Sequence, residues 1–435
     1  MAAYRAYFKP LVRVAGIGPL LTPTEMAQLP IASWGYELVM VDEMAVPDRS
    51  GGGISEKLES LVRLLHDRRR AVRGIFGVKD YTSVIAAVVA GRVGLPGPRV
   101  ESIIRCQDKF VSREIQRVAV PKATPKSWVA DRVLRAPPDA MSFPLFVKPR
   151  KSRLSYYSFS VKSLTALRRA VRGWEQLRQK DNEDYVHLLQ CLTPAEIGAY
   201  SFENTLLAEE CIAAPDQITV DGYCFRGQIT LWGITRSNFL PGTISFDSFE
   251  FPDRHYSASF VKRIYAVVEK TVAAIGLDNT LFNVELKCDP RTGAIWIIEV
   301  NSRGSSQFMC LVWKVSGIHP FRIAMDIACG KKPAPIKFGA GKYKAATCFI
   351  LRRKKDALLR RRPTPEQLEA LARDVPDIMV NFFVQEGQRL SDVIQDSDTF
   401  RYAEVKIPGQ SLEKIREVYA KLKPKLEKLF VFASR

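Results

Sequence analysis

The chain has 435 residues, of which 46% are hydrophobic, and 65 Lys+Arg against 46 Asp+Glu give a formal net charge of +19. That apolar share is ample for packed cores and excludes wholesale disorder, and the length suits about two to four domains. No apolar run reaches the length of a membrane span; the nearest, around Val84–Leu95, is cut by Arg92.

Leu11–Gly18 is apolar and ends in glycine, a strand followed by a loop. Pro23–Ser33 reads as a helix, and Glu37–Asp42 as a second strand ending in an acid. Leu58, Leu61, Leu64 and Leu65 give Ile54–Arg69 helical spacing. Gly74–Val78 is a third strand and Tyr81–Val93 a third helix. Strands alternating with helices imply a parallel sheet with βαβ crossovers. The first strand carries no G-x-G-x-x-G, so a dinucleotide site has little support.

The character changes after G-L-P-G-P at Gly94–Pro98. Arg99–Val118 is expected as one charged helix carrying Lys109. Val129–Ala136 and Pro144–Pro149 read as strands, Ser163–Gln179 as a strongly basic helix, and Asp181–Thr205 as a polar, irregular insertion. Leu206–Ile212, Gln217–Phe225 and Ile229–Ile234 are strands, the last two joined in a hairpin at Gly227. Phe260–Ile275 is a helix. Beyond Ile336, strands Ala345–Leu351 and Ile378–Val384 mix with helices Thr364–Arg373 and Ser411–Leu429.

The eight cysteines form no C-x-x-C pair and sit mostly in apolar stretches, so they read as reduced, buried small hydrophobes. His66, His187, His255 and His319 are too scattered for the usual zinc spacing. The N-terminus M-A-A-Y-R-A-Y-F-K-P has neither an apolar signal core nor a cleavage pattern. A soluble cytoplasmic protein without a membrane partner is the expectation. The densest basic run, Leu351–Pro363, reads as solvated surface. Neither a zinc finger nor an RNP-type aromatic motif accompanies it, so nucleic acid is not an expected partner. Excess positive charge also suits an enzyme that handles a triphosphate.

The most informative segment runs F-N-V-E-L-K, then C-D-P-R-T-G-A, then I-W-I-I-E-V-N-S-R. Two apolar runs around a loop of about five residues read as a β-hairpin. With the turn centred on Thr292, Glu285 faces Glu299 and Asn283 faces Asn301. Alternation then puts Glu299, Asn301 and Arg303 on one face, and Val284, Leu286, Ile298 and Val300 on the core side. Like charges directly opposite on a sheet destabilise it. Two facing carboxylates beside an amide call for a cation, and hard oxygen ligands suit Mg²⁺.

Three further segments precede this hairpin: D-K at Asp108–Lys109, F-P-L-F-V-K-P at Phe143–Pro149, and L-A-E-E-C-I-A-A-P-D-Q-I-T-V-D-G-Y at Leu207–Tyr223. In this order the four resemble the ATP-grasp superfamily. The closer likeness is to its carboxylate–amine ligases, such as D-alanine–D-alanine ligase and the bacterial L-amino acid ligases. The resemblance covers about Arg99–Pro333, and more loosely the rest. It implies a mixed α/β and α+β architecture: an N-terminal parallel α/β (pre-ATP-grasp) domain over 1–105, an ATP-grasp core over 106–335, and a small C-terminal α+β segment over 336–435. A mobile lid is expected over about 122–205.

The resemblance also assigns roles. Lys109 and Lys148 would meet the nucleotide phosphates, and a buried ammonium such as that of Lys148 needs an anionic partner. Glu210 and the backbone around Ile212 correspond to the hinge that holds adenine. Glu209 is its neighbour; adjacent strand residues face opposite ways, so only one should enter the site. Gln217 falls where relatives have a ribose-binding glutamate. Glu285, Glu299 and Asn301 match the metal ligands, with two Mg²⁺ expected and Mn²⁺ able to substitute. Arg303 matches the arginine that steadies the transferred phosphoryl group. Relatives carry glycines and serines after the K-P, whereas Arg150–Ser158 here lacks glycine, leaving Arg150, Lys151, Arg153 and the serines to replace those contacts. Gly304–Ser306 could offer N–H groups to a substrate carboxylate, and Arg236 an extra cation.

The implied activity is ATP-dependent carboxylate–amine ligation through an acyl phosphate. The partners are ATP and small carboxylate and amine substrates, and a homodimer is compatible with it. A biotin-carboxylase-type carboxylase is one alternative, although that branch's H-P-V-T-E segment is missing. A non-catalytic nucleotide-binding protein is the other, favoured by the glycine-free lid.

Overall fold

A computed structural model describes residues 11–17, 21–41, 53–67, 72–152, 156–181, 183–198, 200, 202–337, 339–393, 395 and 399–433. Gly18, Asp42, Arg69 and Arg153 of the expectations above lie outside the described residues.

The first sheet is parallel, in the order β2-β1-β3, with β1 at Val12–Gly16, β2 at Tyr36–Met40 and β3 at Val72–Phe76. The expected βαβ pattern is present. Helix α1 stops at Ala27 (Pro23–Ala27), and Ala32–Trp34 is a separate 3₁₀ turn. The helix expected over Pro23–Ser33 is cut because Pro30 has no N–H to donate and excludes the preceding residue from helix. α2 (Ile54–Asp67) and α3 (Asp80–Val93) pack their Leu58, Leu61, Val84 and Val88 into one core with Ala15 and Ile75 of the sheet. Gly74 allows β3 to lie against the Ala328 carbonyl of a later helix, where any side chain would overlap it.

Arg99–Val118 is two helices rather than one, α4 (Val100–Gln107) and α5 (Lys109–Ala119). Asp108 breaks the run: its backbone is extended and its carboxylate caps α5, accepting from the Phe110 and Val111 N–H groups.

A four-stranded antiparallel sheet follows in the order β4-β7-β5-β6. Its strands are β4 (Ser127–Val129), β5 (Leu145–Pro149), β6 (Phe159–Val161) and β7 (Leu206–Glu210). Val129–Ala136 is not a strand: α6 occupies Ala130–Arg135 and buries Ala130 and Val133 against α7 (Leu164–Asp181). The supposedly irregular Asp181–Thr205 contains two helices, α8 (Glu183–Gln190) and α9 (Pro194–Ile197). Tyr185, Leu188, Leu189 and Leu192 share the core of α2 and α3, and Arg92 grips Glu196 through two nitrogens at 2.8 and 3.0 Å. These apolar residues are sparse in the sequence but all fall on one face.

The largest sheet has eight strands in the order β12-β11-β8-β9-β10-β13-β16-β15. They are β8 (Asp216–Phe225), β9 (Gln228–Phe239), β10 (Phe246–Phe251), β11 (Thr280–Asp289), β12 (Ala294–Asn301), β13 (Ala345–Arg353), β15 (Met379–Phe382) and β16 (Phe400–Gly409). β14 (Leu358–Arg361) pairs with β17 (Val431–Ala433) apart from it. Helix α10 (Ala258–Ile275) packs its Phe260, Ile264 and Val268 on Ile218, Val220, Val284 and Leu286. On the opposite face, α11 (Ser306–Ser316) and α12 (Pro320–Ala328) bring Phe308, Met309 and Phe321 against Phe249, Phe251 and Val14. Helices α13 (Pro365–Asp374) and α14 (Leu412–Leu429) complete the C-terminal packing with β13, β15 and β16. The C-terminal strands therefore extend the same sheet that carries the acidic hairpin.

Candidate active site

The expected hairpin register is present: Glu285 pairs with Glu299 and Asn283 with Asn301. One detail differs. The register shifts between Glu285 and Leu286, so Ile297 rather than Ile298 is the fully buried core residue. The displaced Ile298 carbonyl accepts from Arg113 Nη2 at 2.7 Å and from Lys148 Nζ at 3.5 Å. A bulge thus turns an expected core position into an anchor for two cations.

On the face away from α10, Asn301 Nδ2 donates to Asn283 Oδ1 at 3.0 Å and to Glu299 Oε1 at 3.2 Å, and Asn283 Nδ2 donates to the Arg303 carbonyl at 2.9 Å. The amides thus order the acids. Burial, then the Glu299 charge, pushes the Glu285 carboxyl up to about 8. Burial opposes ionisation of Glu299 too, but Lys109 and Lys148 outweigh it and hold that carboxyl below its usual range. Lys109 Nζ lies 3.5 Å from Glu299 Oε2. Burial and mutual repulsion thus oppose ionisation of both acids together, as like charges sharing a site do.

A third carboxyl, Asp221, joins them from β8, where it pairs with Asn283. It is buried; its Oδ1 accepts the Ser305 N–H at 3.3 Å, and its Oδ2 has no hydrogen-bond partner. Burial pushes it up to about 7, against that N–H. Thr219 and Gln217 continue the same face, opposite Glu285 and Lys287. Among the described residues no group of three or more His, Cys, Asp or Glu is placed to hold a metal ion by itself. Glu285, Glu299 and Asn301 offer oxygens of the right hardness for Mg²⁺. That ion usually completes its shell with water and substrate phosphate, so an incomplete protein cage fits it.

Arg303 reaches out of the hairpin to the first sheet, where its Nε donates to Asp80 Oδ1 at 2.7 Å. Burial disfavours both charges, yet each holds the other ionised: Arg303 is raised, and Arg303 with Lys151 keeps Asp80 well below the carboxylate range. Asp80 opens α3 at the C-terminal edge of β3, the edge where open α/β sheets present their ligands. That position in G-V-K-D was the signal the sequence held, and it was passed over.

The four-stranded sheet supplies the other wall. Lys148 is buried, and its anionic partner is within the protein: Glu209 Oε2 lies 2.6 Å from its Nζ. Arg113 holds the same carboxylate at 2.8 and 3.2 Å. Burial pulls Lys148 down to about 8; burial also opposes the Glu209 charge, but its two cations outweigh that and bring it down to about 2. Glu209 is therefore the inward member of the pair. Glu210, the expected hinge side chain, instead accepts from the Lys126 N–H at 3.2 Å. Adjacent strand residues face opposite ways, which separates the two acids that the sequence offered together. Ile212 lies past the last β5–β7 ladder pair, Leu145 with Glu210, and is half-buried.

The loop after Lys148 also departs from expectation. Arg150 is not free for phosphate: it binds Asp108 at 2.6 and 3.2 Å, and Tyr200 OH donates to the same carboxylate at 2.8 Å. Lys151 donates to Gln107 Oε1 at 2.9 Å and feels the charges of Asp80 and Glu299; burial, the larger effect, brings it down to about 8. The Ser152 carbonyl accepts from Lys109 at 3.2 Å. Arg236 is likewise engaged elsewhere, with Asp216 at 2.8 Å and Asp253 at 3.2 Å. It alternates with Thr235 and Ser237, so it faces away from Thr219 and Gln217.

No protein-family profile matches this sequence, and no curated protein matches it either. Its fold is similar to solved structures. L-amino acid ligase from Bacillus licheniformis superposes with a TM-score of 0.75 at 17% identity, over 98% of this chain and 100% of that one. Phosphoribosylglycinamide synthetase from Anaerococcus prevotii gives 0.63 at 15% identity, over 98% and 100%. Biotin carboxylase from Campylobacter jejuni gives 0.65 at 14% identity, over 97% and 92%. With this mixed helix and strand topology, the chain has the ATP-grasp fold.

Proposed function

We propose that the chain is an ATP-dependent carboxylate–amine ligase. The γ-phosphoryl group leaves ADP and joins a substrate carboxylate oxygen. The nitrogen of an amine then attacks the activated carbonyl, loses a proton, and displaces phosphate to leave an amide. The observation that carries this reading is the convergence of Glu285, Glu299 and Asn301 with the Asp80–Arg303 pair and with Lys109 and Lys148. Two Mg²⁺ ions, or Mn²⁺, held by Glu285, Glu299 and Asn301 would neutralise the β- and γ-phosphates.

In this reading Lys109 and Lys148 meet the phosphates, and the backbone near Ile212 meets the adenine. Gln217 replaces a ribose carboxylate with an amide that can both donate and accept. Arg303, fixed by Asp80, presents a preorganised guanidinium to the charge that develops on phosphoryl transfer. Residues 1–105, 106–335 and 336–435 act as an α/β domain, an ATP-grasp core with its lid at about 122–205, and an α+β segment. The protein works in the cytoplasm, as a monomer or homodimer, on small molecules rather than nucleic acid.

The likeness to an L-amino acid ligase favours amide formation, whereas the likeness to biotin carboxylase supports a carboxylase as the second reading. The test is phosphate release from MgATP with amino acids supplied singly and in pairs. Release that needs two substrates and disappears in Glu299→Ala supports the ligase. Release unaffected by that change contradicts the site.

A further inference from the structure

The basic run Leu351–Pro363 lies far from the acidic hairpin in the order of the large sheet, at the C-terminal strands. β13 ends at Arg353, Lys354 and Lys355 lie in the bend that follows, and β14 carries Arg360 and Arg361. These five side chains are exposed, and among the described residues none of them forms an ion pair. The acids at hand are turned elsewhere. Asp356 accepts from Arg389 Nε at 2.9 Å and from the Ser391 N–H at 3.0 Å, and Glu386 accepts the backbone N–H of Arg362 at 2.8 Å. Like charges gathered without counter-charges repel one another, and an anionic partner relieves that repulsion.

The neighbouring strand adds a backbone feature to this charge. β17 pairs with β14 in a two-stranded sheet, with Leu359 opposite Phe432 and Arg361 opposite Val431. On the other edge of β14, the Leu359 N–H donates to the Gln388 carbonyl at 2.9 Å and the Leu359 carbonyl accepts the Gly387 N–H at 2.8 Å. In an antiparallel ladder, directly opposed residues exchange both bonds or neither. Leu359 directs both groups away from β17, so the N–H and C=O of Phe432 point to the outer edge of β17. Among the described residues no backbone bond meets them there. A sheet edge with an open donor and acceptor is a template for an added strand.

The side chains around this edge decide what kind of strand it takes. The Arg353 guanidinium lies 4.5 Å from the centre of the Phe432 ring, and Arg361 stands opposite Val431, which is 37% exposed. Cations therefore flank an exposed apolar residue. Single-stranded nucleic acid needs open aromatic faces on which bases stack. Here Arg353 covers Phe432, and Arg362 covers Phe382 at 5.0 Å. A polypeptide with both acidic and apolar side chains matches the surface better.

We propose that the outer edge of β17 docks an extended acidic segment of another protein. The segment adds as a strand beside Phe432, its carboxylates meet Arg353, Arg361 and their neighbours, and its apolar side chains rest beside Val431. This surface is independent of the ligase reading above.

The test is fluorescence anisotropy of the full-length protein with a fluorescein-labelled octapeptide of alternating Asp and Val. The comparison probes are the same peptide with Lys in place of Asp, and labelled octauridylate. The acidic peptide should bind several-fold tighter than either. Arg353→Glu with Arg361→Glu should abolish its binding, whereas Arg168→Glu with Arg169→Glu, an equal charge change on exposed positions of α7, should preserve it. Arg361→Glu alone keeps the Arg353–Phe432 contact and replaces the double variant if that one fails to fold.

Hydrogen exchange on the wild-type protein separates strand addition from charge attraction alone. Amides in peptides covering Val431–Ala433 should exchange several-fold more slowly with the acidic peptide bound, because the added strand accepts the Phe432 N–H. Equal binding of the acidic and lysine peptides, binding that survives the charge reversal, or unchanged exchange in the bound protein overturns the proposal. Octauridylate bound tighter than the peptide and released by the same reversal assigns the surface to nucleic acid and overturns it as well.

Discussion

Arg303 and Asp80 are 223 positions apart in the chain, yet the guanidinium Nε donates to the carboxylate at 2.7 Å. The bond ties the end of the acidic hairpin to the first turn of α3, so the parallel sheet is part of the site and not an appendage. A guanidinium held on one side has its remaining donors aimed in a fixed direction.

Asp80→Asn should therefore lower phosphate release while the protein stays folded. Losing one charged orienting contact predicts a fall in kcat of about tenfold to a hundredfold, equivalent to about 1.4–2.7 kcal/mol. Steady-state kinetics beside a thermal melt checks this. A melt that collapses together with activity would make the bond structural instead.

Arg113 and Lys148 share Glu209 but should fail differently. Arg113→Met leaves a buried carboxylate with a single cation and strips a donor from the Ile298 carbonyl, so stability should fall by about 3–5 kcal/mol. Lys148→Met keeps the Arg113–Glu209 fork, so stability should change less while ATP affinity drops at least tenfold by calorimetry. The reverse ordering would show Lys148 to be the structural member.

The Asp221 carboxyl is raised to about 7 by burial against 3.8 unfolded. Between those values the folded state binds more protons than the unfolded one, so this group's contribution to stability falls as pH rises through the window. The slope is at most about 1.4 kcal/mol per pH unit. Urea unfolding at about pH 5 and about pH 8 should show wild type losing stability relative to Asp221→Asn. A constant difference across that range would mean that Asp221 stays ionised throughout.

Much of the site was legible because strand alternation is strict. The turn position alone put Glu285 opposite Glu299 and Asn283 opposite Asn301. The errors arose where long-range contacts overrode local pattern. The Glu285/Leu286 bulge exchanged Ile297 for Ile298. Which of Glu209 and Glu210 turns inward stayed open in the sequence, because Arg113 and Lys148, which draw in Glu209, come from other elements. Asp221 obeys the same alternation as Thr219 and was overlooked for lack of a charged neighbour in sequence. Arg150 looked like a phosphate ligand until Asp108 and Tyr200 met it. The helices at Glu183–Ile197 were hidden because their apolar face is sparse and completed by α2 and α3. Asp80 meets Arg303 only through the docking of β3 on α12, which Gly74 permits and no local motif announces.

The central claim is that a substrate carboxylate becomes phosphorylated between Arg303 and the Glu285/Glu299 pair. Its most direct test is turnover with ¹⁸O-labelled carboxylates from a pool of L-amino acids, followed by mass spectrometry of the released phosphate. The account predicts transfer of one labelled oxygen into phosphate per turnover, and loss of that transfer in Glu299→Ala. Phosphate released without label, or label transfer that survives Glu299→Ala, would contradict it.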